Sequence, residues 1–217
     1  TTPEITIKTY VKGQTLAVEN PDKAKLQLLI DKGEYFACVE DDVDQVQTDI
    51  ALMDTWSKDA SERMKIKIDQ RVLTDLLTDV AAANKGASAG AISADLNIGV
   101  ASSPIAISKS NAIDQIVNMG TVLDEANCPE SDRFIVIPAK MAGHIKLSDL
   151  KDASITGDGS SPLRNGRLGM IDRFTVYVSH NLYKNGSEFS IIAGHKMGFT
   201  FASQMTNMET IRSETTF

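Results

Sequence analysis

Apolar and polar residues alternate at both ends of the first forty positions. In Glu4-Ile5-Thr6-Ile7-Lys8-Thr9-Tyr10-Val11, Ile5, Ile7 and Val11 share one face of a strand, while Glu4, Thr6 and Lys8 share the other. Gly13 and the Asn20-Pro21-Asp22 cluster interrupt the pattern. Alternation resumes in Lys25-Leu26-Gln27-Leu28-Leu29-Ile30, with Leu26, Leu28 and Ile30 on one face. This predicts an extended two-stranded arm. A ribbon of that kind is marginal alone and has to lie on another surface.

The period then changes. From Glu34 to Lys85 there is no Gly or Pro, and an apolar line runs through Val46, Ile50, Met53, Ala60, Met64, Ile68, Val72, Leu76 and Val80, with Trp56 at its border. Steps of mostly four residues predict one long amphipathic helix, or two with a small break, of about 35–40 residues in all. Asp42 and Gln45 form a capping-box start. Residues 86–110 are mostly small and read as a flexible connection with one strand near Ile105–Ile107. A helix follows over 111–126, with Ile113, Ile116, Val117, Met119 and Leu123 on its buried side and Pro129 as its stop. Phe134–Ile137 reads as a buried strand between Arg133 and Pro138, and Ala139–Leu147 as a short helix. After a polar loop over 152–165, Phe174, Val176 and Val178 alternate as a strand. Asn185-Gly186 signals a hairpin returning through Phe189–Ile192. Phe199, Phe201 and Met205 lead to a last strand near Met208–Ile211. The fold class predicted is α+β.

Composition narrows the class. The 217 residues are 42% hydrophobic and 24% charged, which argues against intrinsic disorder. A chain of this length buries roughly 70% of its unfolded surface without a metal or disulfide. No apolar run approaches the length of a bilayer span, so no membrane partner is expected. The chain opens Thr1-Thr2-Pro3, with neither an initiator Met nor a signal-peptide pattern, and reads as a processed, cut or partial chain. Net charge is −7 and unevenly spread. Residues 40–79 carry five basic against eleven acidic groups, while 133–217 carry ten against seven. No segment offers the basic stripe that gripping nucleic acid requires.

The motifs that would carry chemistry fail on context. Gly86-Ala87-Ser88-Ala89-Gly90 matches a hydrolase nucleophile elbow, but a helix rather than a strand precedes it, so Ser88 reads as a linker serine. His144, His180 and His195 share no metal-ligand spacing, and His195 has no evident acid or nucleophile beside it. Cys38 and Cys128 form no ligand pair and suit a reducing compartment. Glu40-Asp41-Asp42-Asp44 lacks the spacing and glycine of a calcium loop and is explained by the positive end of the following helix. Asn185-Gly186-Ser187 is a glycosylation sequon that a hairpin turn accounts for. No catalytic, cofactor or metal residue is expected.

Three segments instead carry a resemblance. Val122-Leu123-Asp124-Glu125-Ala126-Asn127-Cys128-Pro129 closes on Arg133-Phe134-Ile135-Val136-Ile137-Pro138. Leu163-Arg164-Asn165-Gly166-Arg167-Leu168-Gly169 is followed by Phe174-Thr175-Val176-Tyr177-Val178-Ser179-His180-Asn181-Leu182. Gly194-His195-Lys196 precedes Thr200-Phe201-Ala202-Ser203-Gln204. In this order, behind the arm and the long helix, they resemble the major capsid protein of tailed double-stranded-DNA phages, whose Hong Kong-type coat fold encapsulins share. The resemblance implies an E-loop hairpin over 1–41, a spine helix and peripheral domain over 42–99, a mostly axial domain over 100–182, and return strands over 183–217. It implies a non-enzymatic subunit that self-assembles into pentamers and hexamers of an icosahedral head. Scaffolding, portal and decoration proteins are its implied partners, with packaged DNA enclosed but not specifically bound. The setting implied is the virion, assembled in the bacterial cytoplasm. Ile7, Tyr10, Leu26, Leu28 and Ile30 become the expected E-loop contacts with a neighbour. An encapsulin-like shell around cargo protein is the alternative, and a hydrolase using Ser88 or His195 a third reading. The resemblance implies an N-terminal arm before the E-loop and further chain after the return strands, neither of which is expected within these residues.

Overall fold

A computed structural model describes residues 6–16, 18, 27–39, 52–148 and 168–204. The described residues of 1–35 and of 201–204 fall in one unit, and those of 36–200 in a second.

The second unit is organised by one strand. In β1 (Arg133–Ile137) both faces are apolar, and four of its five residues are buried. It pairs in parallel with β3 (Phe174–Val178) and antiparallel with β6 (Ile192–His195), while β2 (Met170–Ile171) extends the sheet beyond β3, giving the order β2-β3-β1-β6. The strand alternation sends Ile135 and Ile137 to one face and Phe134 and Val136 to the other. On the first face lie α2 (Ala112–Glu125) and α3 (Ala139–Lys146). Ile116 and Ala112 from α2, and Met141, Ala142 and Ile145 from α3, close over Ile135, Ile137 and Phe174 to form the main core. On the second face, Val136, Ile192 and Leu182 pack with Leu73, Leu76 and Leu77, three residues near the end of α1 (Leu52–Thr78), and with Phe189 of the hairpin β4 (Lys184–Asn185) and β5 (Glu188–Phe189).

Helix α1 runs unbroken for 27 residues, about 40 Å at 1.5 Å per residue. Its expected start, from Asp42 through Ile50, lies outside the described residues, and Val80 falls beyond its end. Met53, Ala60, Met64, Ile68, Val72 and Leu76 do form a half-buried stripe, but no residue of the helix is fully buried. Its outer face carries the ion pairs Asp54–Lys58, Asp59–Arg63 and Glu62–Lys65, each at 2.6 Å and solvent-exposed. Pairs so exposed add little to stability.

Helix α2 ends before Pro129 through its own cap. Asn127 takes a left-handed conformation (φ 53°), the Cys128 amide donates to the Leu123 carbonyl and the Asn127 amide to Asp124. These bonds make a Schellman motif with Asn in the position glycine usually takes.

Two expectations change. Residues 86–103 are a folded element, not a flexible connection. Ala89 is fully buried and pairs with Leu96, Val100 pairs with Ser103, and Gly90 donates to the Ala83 carbonyl. Small side chains let this backbone bond to itself at close range; no strand forms at 105–107. Among the described residues of the first unit, 6–16 and 27–35 carry no strand, and a turn closes where the Gln14 amide donates to Val11 around Gly13. The described apolar residues of these stretches are exposed, and strand pairing without burial of an apolar face lacks its main stabilisation. The last strand expected near Met208–Ile211 lies outside the described residues.

Candidate assembly surfaces and the α2–β1 junction

The residues expected to touch a neighbour are open. Ile7 is 95% exposed, and Tyr10, Leu28 and Ile30 are more than half exposed, as are Val11, Leu16, Val18 and Leu29 beside them. Leu26 lies outside the described residues. Isolated exposed apolar residues need no explanation, whereas these are crowded into two short stretches.

The chemistry-bearing candidates do not converge. His144 sits in α3, His180 after β3 and His195 at the end of β6, where its Nδ1 accepts from the Met197 amide at 3.2 Å. Ser88 follows a 3-10 turn (Ala82–Asn84) and precedes the Ala89–Leu96 bridge, without the strand-turn-helix that an elbow needs. Cys38 lies 3.7 Å from the Met53 sulfur. Among the described residues no group of three His, Cys, Asp or Glu is placed to hold a metal, and no helix is long and apolar enough to cross a membrane. Glu40–Asp44 lies outside the described residues.

What sequence reasoning missed is a junction built from the acids between α2 and β1. Arg133 is only 1% exposed. Its Nε donates to the Pro129 carbonyl at 2.8 Å and its Nη2 to Cys128 at 2.6 Å, with Asp124 Oδ1 2.7 Å from Nη2. Nη1 is buried and makes no hydrogen bond among the described residues. The other oxygen of Asp124 accepts from Arg173 at 2.8 Å, and Glu130 lies 3.0 Å from Arg173 Nη1. Hydrogen bonds from Arg133, then from Arg173, hold the Asp124 carboxyl below its ordinary range.

Arg173 needs this anchorage. With Asp172 it forms the two-residue turn between β2 and β3, and both have positive φ, 45° and 65°. That turn normally prefers Asn-Gly or Asp-Gly, because side chains crowd the left-handed region. Gly120 of α2 leaves room for the turn: a Cβ there would collide with the Asp172 carboxylate and meet the Phe174 ring at 3.5 Å.

Asp132 binds Lys196 at 2.8 Å, which lowers the Asp132 carboxyl and raises the lysine. Glu125 accepts from the amides of Ile92 and Ser93 at 2.9 and 3.0 Å. Those bonds, Ser93 first, pull its carboxyl down. Four acids thus tie the α2–β1 connection to β1, to the β2–β3 turn, to the end of β6 and to the 86–103 element. Gly194 completes the contact, because its missing side chain lets the Phe134 ring lie across β6, 3.4 Å from where a Cβ would stand. Phe199 meets that ring edge-on at 5.7 Å.

The segments that carried the resemblance, 122–138 and 194–196, are therefore physically interlocked. The sequence model of the phage capsid protein family matches residues 28–217. With most of the chain covered, the protein belongs to that family. A solved structure from Mycobacterium phage Che8 has a similar fold, with a TM-score of 0.62 and 23% identity over 87% of this chain. The match takes in 64% of the length of that phage chain. No curated protein sequence matches.

Proposed function

We propose that this chain is the structural coat subunit of a phage head, many copies of which close into an icosahedral shell of pentamers and hexamers around double-stranded DNA. Membership of the phage capsid protein family is the observation that carries the reading. The role is mechanical: each subunit supplies surfaces, and the closed symmetry of the shell multiplies weak contacts. Residues 1–41 act as the E-loop laid across a neighbour, with Ile7, Tyr10, Leu26, Leu28 and Ile30 completing their burial there. Residues 42–99 form the peripheral domain, with α1 as its spine. Residues 100–182 are mostly axial, and 183–217 return to the periphery. The net charge of −7 suits a wall that encloses DNA without binding it tightly. Scaffolding, portal and decoration proteins are the further partners of such a shell, which is assembled in the host cytoplasm and ends in the virion.

The arm assignment is tested with Leu28→Asp and Ile30→Asp. Each places a charge on the apolar face, and each is expected to leave a soluble, folded subunit that fails to sediment as particles. Particles at wild-type yield would remove the arm from the contact.

A further inference from the structure

The loop over 90–95 is held far more firmly than its composition suggests, and it holds an apolar side chain outward. Gly90 has φ +112° and no space for a Cβ, which would stand 2.7 Å from the Glu125 carboxylate and 2.5 Å from Ser93 Oγ. Ala94 has φ 51°, a conformation that costs a residue with a Cβ free energy and persists only where its surroundings impose it. The imposing group is Glu125, whose Oε2 accepts from both the Ile92 and Ser93 amides. Glu125 stands in the last turn of α2, where the helix dipole disfavours an acid and no basic residue offsets it. Its placement stabilises the loop at the helix's expense. At the tip of that loop, Ile92 is 80% exposed.

We propose that the 90–95 loop is a rigid contact element between copies of this chain, with Ile92 as the side chain inserted into the neighbouring copy and Glu125 as the residue that positions it. An apolar knob on a preorganised backbone loses little conformational freedom on docking, which is where a small contact gains affinity. The segment's chemistry selects protein over nucleic acid: from 86 to 108 the single charged residue is Asp95, and there is no Lys or Arg to meet phosphate. The choice of a second copy rests on the coat-subunit reading above. The 90–95 loop and the arm are different segments of the chain, so the two contacts can fail separately.

The test is hydroxyl-radical footprinting of the full chain, as dispersed subunits and as assembled particles prepared without other proteins. Ile92 should be strongly oxidised in subunits and protected several-fold in particles. Particles in which Ile92 reacts as it does in subunits would overturn the contact while leaving the coat role intact. Subunits that stay dispersed at every concentration, with scaffolding protein supplied as well, would overturn both. Ile92→Ser should raise the concentration needed for assembly by about tenfold with no change in subunit melting temperature. Glu125→Ala should raise that concentration similarly although Ile92 is untouched. Glu125→Gln, whose carbonyl oxygen still accepts both amides, should restore assembly. Equal assembly by Glu125→Ala and wild type would remove Glu125 from the positioning role.

Discussion

Single residues do most of the specifying at the α2–β1 connection. Arg133 is a buried cation whose charge is met by Asp124, so removing the acid strands it among carbonyls. Asp124→Ala is expected to destabilise the subunit by about 2–3 kcal/mol, read by urea denaturation. A loss within error would mean that the carbonyls of Cys128 and Pro129 suffice. Acid provides a second test. Asp124, Glu125 and Asp132 are all held below their ordinary values of 3.8, 4.5 and 3.8. A carboxyl depressed by folding stabilises the protein above its unfolded pKa and loses that contribution as pH falls through the folded value. The melting temperature should therefore drop steeply below about pH 4.5, and Glu125→Gln should flatten that drop. Superimposable pH curves for the two proteins would contradict the Glu125 geometry. Little of this was legible beforehand. Asp124, Glu125 and Arg133 stood out as part of a resemblance, but ion pairs between positions as distant as Asp124 and Arg173 leave no local pattern.

At the scale of elements, legibility followed periodicity. Phe134-Ile135-Val136-Ile137 reads as a buried strand because both of its faces are apolar, and it is the strand on which both cores form. Ile113, Ile116 and Leu123 announce α2 by their helical spacing. The expected span of 111–126 lies within a residue of the observed Ala112–Glu125, but a Schellman cap on Asn127, less conspicuous than Pro129, makes the stop. The Asp172-Arg173 turn was missed because it contains no glycine. The composition of 86–103 suggests a loose connection because its order comes from backbone bonds and Glu125, which small side chains do not advertise. Close approach of the β2–β3 turn to α2 depends on Gly120. Gly120→Ala should cost about 1–3 kcal/mol by thermal or chemical denaturation, because the added methyl displaces the Asp172 carboxylate. An unchanged midpoint would show that the turn shifts freely.

The molecule as a whole is one whose apolar surface is unevenly spent. Around β1 both sheet faces are covered. The residues of 6–16 and 27–39 expose Ile7, Tyr10, Leu28 and Ile30, and α1 passes 27 residues without burying one completely. For the described residues of each unit, that surface is unused by the chain's own fold, and under the proposed coat role its partner is another copy. The alternation of the arm predicts strand pairing that its described residues do not show, and a ribbon of that kind is marginal without a further surface to lie on. The most direct measurement is negative-stain electron microscopy of the purified protein, with light scattering on the same sample across a concentration series. The account predicts closed shells tens of nanometres across, or capsomer-like rings that grow with concentration. A monodisperse monomer at every concentration, with scaffolding protein supplied as well, would contradict it.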